Sequence, residues 1–205
     1  PGQAIPDVIA NLRQHVRQSV ADAMDVDCTL GCLVSGGLDS AGVAAIACDI
    51  ARAHDRDPPP AFTMGFDDPG RDETDAARKL CAHLGLELSI VSAPQKADEI
   101  LDILTAALRA VGVPFANPAI VLNWKLAERV ARDVRVCLSG DGGDELFGGY
   151  PRYRAARLFD SAWHYLPASL RRLSAHTGQG IGNRALSRFL TGGQGDAKTA
   201  FTVWN

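Results

Sequence analysis

The fold of this chain is decided by residues 30–40, which read LGCLVSGGLDS. The first part, Leu30–Val34, is a short apolar run without strict alternation, which is typical of a strand buried on both faces of a parallel sheet. Two glycines follow at Gly36 and Gly37, and an amphipathic pattern starts near Ser40. These residues therefore predict a strand, a glycine-containing turn and a helix in immediate succession.

Further strands and helices alternate around this unit. The patterns predict helices over about 6–23, 40–54, 73–84, 96–111 and 118–132, the last with Asn117 as its N-cap, and strands over 30–34, 61–66, 86–91 and 134–138. This alternation predicts an α/β fold, an open parallel sheet with right-handed crossovers and helices on both faces. After Tyr150 the strand signal ends, and residues 151–205 predict a helical tail.

The composition excludes several classes of protein. The net charge is −3, whereas a general nucleic-acid binder would be basic. No apolar run approaches the roughly 18 residues needed to cross a bilayer. The five cysteines form no CxxC pair, so we expect reduced thiols in a cytoplasmic protein. The chain begins at Pro1 rather than Met, and we expect it to be a piece of a longer protein.

The charge is distributed unevenly along the chain. Residues 1–150 carry 13 basic and 22 acidic side chains, and residues 151–205 carry 8 basic and 2 acidic ones. This change predicts a domain junction near Tyr150. Two interpretations of the basic tail remain open, a solvated surface that docks on the acidic part and a patch that faces a phosphate or a partner.

The loop Ser35–Ser40 suits the binding of a phosphate. Its two glycines let the backbone come close to a bulky anion, and the following helix N-terminus adds backbone N–H donors and a positive dipole end. Asp39 fits beside a phosphate if Mg²⁺ lies between them. The loop lacks the GKS or GKT of a Walker A sequence. The alternative is an ordinary turn in which Asp39 or Ser40 only caps the helix.

A second loop, Ser139–Glu145, follows the fourth predicted strand and reads SGDGGDE. Its three carboxylates repel one another unless a positive charge lies nearby. In doubly wound sheets the loops after both strands open on the edge where ligands bind. A phosphate loop beside a carboxylate cluster indicates magnesium–nucleotide chemistry, and the alternative is a flexible acidic turn.

These two motifs together resemble a known family. SGGLDS, followed about 100 residues later by SGDGGDELFGGYPRY, resembles the synthetase domain of the glutamine-hydrolysing asparagine synthetases. The stretch FTMGFDDPGRDETDAARKLCAHLG is similar to the segment after that family's second strand. The resemblance covers about residues 8–155 and implies the PP-loop ATP pyrophosphatase fold, which is also called adenine nucleotide alpha hydrolase-like.

The resemblance implies an ATP-dependent amide synthesis. ATP adenylylates a carboxylate, aspartate in the type case, and releases pyrophosphate; ammonia derived from glutamine then attacks the acyl-adenylate and AMP leaves. By motif position, Asp141 takes a proton from the amine, and Asp39 and Asp144 hold Mg²⁺. The positions matching the nucleotide contacts are Ser35, Gly36, Gly37, Leu38, Asp39 and Ser40 at the pyrophosphate end and Leu33, Met64, Ser139 and Gly140 at the adenosine.

The chain also departs from the family pattern. Residues 112–119 read GVPFANPA where many relatives carry acidic residues, so the acceptor carboxylate stays open. The family's later segment, with a functional Lys and an ExRxPxLD-like stretch, does not occur in these 205 residues, and we expect them to be incomplete for catalysis.

Alternatives therefore remain for the function and the partners. One is a relative that closes a lactam or macrolactam, although Asp141 stands where β-lactam-forming relatives tend to carry Tyr. The other is a non-catalytic nucleotide-binding module. A glutaminase domain is expected upstream or in trans. Neither nucleic acid nor a membrane is expected as a partner, and a homodimer stays open.

Overall fold

The protein is described by a computed structural model for residues 4–113, 117–161, 163–167, 169–173 and 184–192. The helices before residue 142 are α1 (Ile5–Met24), α2 (Leu38–Ala53), α3 (Thr74–Leu84), α4 (Ala97–Val111) and α5 (Ala119–Val130). The strands are β1 (Leu30–Leu33), β2 (Ala61–Gly65), β3 (Leu88–Ser92) and β4 (Val136–Leu138).

The four strands form one parallel sheet in the order β3-β2-β1-β4. Leu33 of β1 lies beside Phe62 of β2, and Leu30 lies beside Val136 of β4. The chain leaves β1 toward β2 on one side and returns as β4 on the other. The strand order therefore reverses between β1 and β4, where ligands of doubly wound sheets bind.

Strand β1 is covered on both faces, as its sequence predicts. Cys32 and Val34 belong to a hydrophobic cluster with Val20 of α1, Ala47 of α2 and other residues of α2 and α3. Leu33 points to the opposite face and packs in a cluster that contains residues of α5. Because successive side chains of a strand alternate between faces, helices on both sides are needed to bury such a run. The predicted α/β fold is confirmed.

Some predicted boundaries move by one or two residues. The fifth helix starts at Ala119 with Pro118 at its cap, so Asn117 is not the N-cap. The Asn117 side chain still serves the helix start, because its Oδ1 accepts the N–H of Ala119 at 3.0 Å. The third strand starts at Leu88 rather than Leu86, since the Leu86 N–H bonds back to Cys81 O at 2.9 Å in the turn that ends α3.

The chain divides into two compact units, Pro1–Asp141 and Gly142–Asn205. The second unit contains α6 (Gly143–Phe147), α7 (Pro151–Ser161), a 3-10 turn at Trp163–Tyr165 and α8 (Arg184–Gly192). Its buried centre is Phe159, against which Trp163 and Phe189 pack. Residues 174–183 and 193–205 of the predicted helical tail lie outside the described residues, and the junction near Tyr150 stays a prediction. Within the described part of the chain, no helix is both long and apolar enough to span a membrane.

Candidate functional site

The loop between β1 and α2 is held by its own serines. The Ser35 N–H donates to Ser40 Oγ at 3.0 Å, and the Gly37 N–H donates to Ser35 Oγ at 3.1 Å. The two hydroxyls lie 3.0 Å apart. Ser40 is buried at the base of the loop, whereas Gly36 and Gly37 are exposed. The serines therefore shape the loop from beneath and leave its glycines accessible.

Helix α2 begins without a side-chain cap. Gly37 occupies the cap position, and it has no side chain to accept an N–H group of the first turn. Neither Asp39 nor Ser40 therefore caps the helix with its side chain, and the choice between a phosphate loop and an ordinary turn stays a prediction. A first helical turn has N–H groups without intrahelical partners, and with the positive dipole end they favour an anion. Asp39 is exposed here, and the described contacts give its carboxylate no hydrogen bond or salt bridge.

The second loop passes directly over the first. A Cβ atom placed on Gly140 would lie 2.5 Å from Ser40 N, 2.8 Å from Asp39 C and 3.0 Å from Asp39 Cβ. Only glycine allows the backbone to approach this closely. The two loops are 100 residues apart in sequence and meet at the carboxyl ends of β1 and β4. For residues Ser139–Asp141 of the second loop, the prediction that both loops open on the same edge of the sheet is confirmed.

Asp141 is oriented by the serine two residues before it. Ser139 Oγ donates to Asp141 Oδ2 at 3.0 Å and accepts the Asp141 N–H at 3.4 Å. Asp141 also lines a cavity of about 480 Å³ between the sheet and α5, with Leu33, Asn123, Cys137 and others. Small-molecule sites commonly measure about 300–1,000 Å³. Burial raises the pKa of the Cys137 thiol to about 11, so this thiol is protonated at neutral pH and is a weak nucleophile.

Leu33 and Met64 lie on neighbouring strands and share one face of the sheet. Leu33 pairs with Phe62, and Met64 follows Phe62 by two residues on β2. Residues two apart on a strand point to the same side. Both residues are half-buried near the carboxyl ends of their strands. The structure thus brings these two predicted nucleotide contacts to the same side of the sheet near the loop after β1.

Sequence reasoning missed Glu73 and Asp72. Glu73 Oε2 accepts the Gly36 N–H at 3.0 Å, although the two residues are 37 positions apart. Asp72 accepts the hydroxyl of Thr74 at 2.5 Å and the N–H of Phe66 at 3.0 Å. A signal was present, because the pair stands at the predicted start of α3 in the stretch after the second strand. Nothing in that stretch indicated which partners the carboxylates would find.

The Asp72 hydrogen bonds predict a specific pH dependence of stability. The Thr74 hydroxyl, followed by the Phe66 N–H, lowers the pKa of Asp72 below its ordinary value. A group with a lowered folded-state pKa contributes stability above its unfolded pKa of about 3.9 and loses it as the pH falls through the folded value. Asp72→Asn is therefore expected to shift the urea midpoint more at pH 6 than at pH 3. Asp75→Asn, an exposed carboxylate in the same turn, is the control. A shift of equal size at both pH values would contradict this linkage.

Glu145 and Asp144 have their contacts within the second unit. Tyr150 donates its hydroxyl to Glu145 Oε1 at 2.7 Å, and the Arg152 guanidinium lies 3.8 Å from the centroid of the Tyr150 ring. The Tyr150 hydrogen bond, with help from Arg152, lowers the pKa of Glu145. The Asp144 side chain occupies the space that a Cβ atom on Gly149 would need, 3.0 Å from Asp144 Cγ. The acidic run is thus partly compensated by Tyr150 and Arg152, which sequence reasoning did not assign. The pairing of Asp39 with Asp144 at a metal stays a prediction.

Curated proteins named as asparagine synthetases are similar in sequence to this chain. It is 38% identical over 164 residues to a Mycobacterium bovis protein provisionally named as a glutamine-hydrolysing asparagine synthetase, covering 77% of this chain and 23% of that one. It is 31% identical over 170 residues to the glutamine-hydrolysing asparagine synthetase 1 of Bacillus subtilis, and the match covers 80% of this chain and 26% of that protein. The chain spans about a quarter of the length of these curated relatives.

Solved structures and a family model add two findings. An NH3-dependent NAD synthetase from Campylobacter jejuni matches with a TM-score of 0.41 and 15% identity over 94% of each chain. The model of the family described as asparagine synthase matches residues 11–199. This match includes the loop after β1, the loop after β4 and the segment with Glu73. The chain belongs to the asparagine synthase family.

Proposed function

We propose that this chain is the nucleotide-binding part of a ligase that uses ATP to join an amine to a carboxylate. The observation that carries the proposal is the close approach of Gly140 to the Asp39–Ser40 backbone. It assembles a loop suited to phosphate and a loop suited to acid–base chemistry at one crevice of the sheet. Membership in the asparagine synthase family supports the same reaction class.

Two sets of residues would contact the two ends of the nucleotide. The loop Ser35–Ser40 would hold the pyrophosphate end, because its exposed glycines and the uncapped start of α2 suit an anion. Leu33 and Met64 would contact the adenosine from the neighbouring strands, together with Ser139 and Gly140. A hydroxyl both accepts and donates, so each serine can keep accepting its loop N–H while its own O–H rotates to donate to a phosphate oxygen.

A magnesium ion shared with the substrate phosphates is part of this proposal. The described residues contain no group of three or more side chains that could hold a metal by themselves. Mg²⁺ in phosphoryl-transfer sites is commonly held by one or two carboxylates plus the phosphates, and Asp39 and Asp144 would supply those carboxylates. When bound, the ion offsets the negative charge that develops on the phosphate oxygens.

The proposed reaction has two steps. A carboxylate oxygen attacks the α-phosphorus of ATP, the bond from that phosphorus to the bridging oxygen breaks, and pyrophosphate leaves. The amine nitrogen then attacks the acyl carbon, and Asp141 accepts a proton from that nitrogen. The bond between the acyl carbon and the AMP oxygen breaks, and the amide is released.

Aspartate is the proposed acceptor, and glutamine, through a glutaminase, is the proposed source of ammonia. The match to asparagine synthetases supports both. Residues 112–119 depart from the family pattern, and residues 114–116 of this segment lie outside the described chain. Gly112 caps α4 and Asn117 bonds to the start of α5, so the described ends of this segment act as helix boundaries.

A binding experiment tests the proposal. Asp39→Ala combined with Asp144→Ala is expected to weaken magnesium-dependent ATP binding by about 10-fold or more, which corresponds to about 1.4 kcal/mol. Calorimetry with ATP, with and without Mg²⁺, measures it. Asp98→Ala combined with Asp102→Ala, two exposed carboxylates of α4, is the charge-matched control. Unchanged magnesium-dependent binding in the double variant would remove the metal assignment. In the full-length protein, ADP in place of AMP as the product would reject the reaction class.

A further inference from the structure

The phosphate-type loop takes one of its backbone contacts from another element of the fold. The N–H groups of Ser35 and Gly37 donate to serine hydroxyls inside the segment 35–40. The Gly36 N–H instead donates to Glu73 Oε2, at the start of α3. Among the described hydrogen bonds, this one alone ties a backbone amide of the loop to a side chain outside it.

The backbone that carries Glu73 is itself anchored. Asp72 Oδ1 accepts the Phe66 N–H, which lies just beyond the end of β2. Asp72 Oδ2 accepts the hydroxyl of Thr74, a residue only 7% exposed. The start of α3 is therefore fixed to the carboxyl end of β2. Glu73 lies between these two anchored residues, so its carboxylate is presented to the loop from a rigid base.

Gly36 is also packed against α3. A Cβ atom at Gly36 would lie 3.0 Å from Ala76 Cβ and 3.4 Å from Glu73 Cβ. The loop therefore touches α3 on the side from which the carboxylate bonds to its amide. Two successive glycines would otherwise leave the Ser35–Gly36 peptide many orientations. A hydrogen bond to a charged acceptor selects one of them.

We propose that Glu73 is a positioning residue, which acts through the Gly36 amide to hold the loop 35–40 in the shape that receives the phosphates of the nucleotide. This inference rests on the proposed function. Its contribution is preorganisation, since a loop already held in its bound conformation loses less conformational entropy on binding. Glu73 is not assigned a contact with the nucleotide.

The test compares Glu73→Ala, Glu73→Gln and Asp75→Asn in the intact protein. Magnesium pyrophosphate and adenosine are titrated separately by calorimetry. Glu73→Ala is expected to weaken the affinity for magnesium pyrophosphate about 10-fold, because the loss of one hydrogen bond to a charged group is of this size. The affinity for adenosine is expected to change less than 2-fold. Glu73→Gln keeps an acceptor oxygen and is expected to fall between Glu73→Ala and the native protein. Asp75→Asn removes the same charge from the same turn and is expected to behave as the native protein.

A second measurement requires no nucleotide. Hydrogen exchange of the Gly36 amide, followed by NMR, is expected to accelerate at least 10-fold in Glu73→Ala and to stay unchanged in Asp75→Asn. A native rate of exchange at the Gly36 amide in Glu73→Ala would overturn the contact. Pyrophosphate binding by Glu73→Ala that is as tight as in the native protein, or tighter, would overturn the positioning role and show that the carboxylate competes with phosphate. If the native protein binds neither pyrophosphate nor ATP, the proposed function is wrong. The hydrogen-exchange measurement still tests the Glu73 contact in that case, because it needs no nucleotide.

Discussion

Replacing Gly140 with alanine is expected to destabilise the protein by about 3 kcal/mol and to weaken ATP binding by about 100-fold. The new Cβ would stand 2.5 Å from Ser40 N and 2.8 Å from Asp39 C, both backbone atoms. Overpacking of this kind commonly costs about 1–3 kcal/mol or somewhat more, because backbone must move. Displacement of the loop by about 1 Å can cost about 100-fold in function. Urea unfolding and calorimetry with magnesium ATP measure the two effects.

The chain offers a control of opposite sign. A Cβ added at Gly42, in the first half of α2, would meet no atom within 4 Å. Gly42→Ala is therefore expected to stabilise the protein by about 0.5–1 kcal/mol, the ordinary gain for alanine in a helix interior. Equal stabilities for Gly140→Ala and Gly42→Ala would mean that the two loops do not meet as described. Native stability with lost ATP binding in Gly140→Ala would confine the effect to the site.

Replacing Asp141 with asparagine is expected to separate the two proposed steps. Amide formation should fall by about 100- to 10,000-fold, the usual contribution of a positioned general base. Pyrophosphate release should change by less than about 3-fold, because the amine proton is transferred only in the second step. Asparagine retains the oxygen that accepts the Ser139 hydroxyl, so the local turn should persist. Both rates are measured on the full-length protein with ammonia and aspartate.

Asp27 provides the control for this comparison. It is an exposed carboxylate just before β1, at the amino end of the sheet, and Asp27→Asn removes the same charge from the opposite edge. Both half-reactions are expected to stay native in this variant. An equal fall of pyrophosphate release and amide formation in Asp141→Asn would exclude a role confined to the amine. The carboxylate would then have to act in adenylylation as well.

The sequence predicted the sheet and the helix pattern well, because both depend on local periodicity. The run Leu30–Val34 indicates a strand buried on both faces, and the structure places Cys32 and Leu33 in different hydrophobic clusters. The predicted helix 73–84 ends where expected, because Gly85 follows it in the left-handed region with a φ of 65°. Boundaries were less exact where a turn competes with a pattern, as at Leu86, whose N–H bonds back to α3.

The candidate site was predicted as two loops, and its internal contacts were not. The motifs named Ser35–Ser40 and Ser139–Glu145, and the parallel strand order brought the first loop to Ser139–Asp141. They could not indicate that Gly36 bonds to Glu73, because that contact depends on how α3 is anchored to the end of β2. Nor could they indicate that Tyr150 bonds to Glu145, since the same residues suit a simple solvent-exposed turn.

What the sequence determined by itself is the set of elements, the two loops and the family to which they belong. Side-chain periodicity and turn residues act over a few positions, and a single chain displays them directly. What only the tertiary structure decided is which groups meet: Gly140 over Ser40, and Glu73 on the Gly36 amide. These contacts join residues 100 and 37 positions apart. They arise because the order β3-β2-β1-β4 places β2 and β4 on either side of β1. The segments that follow β2 and β4 therefore both contact the loop that follows β1.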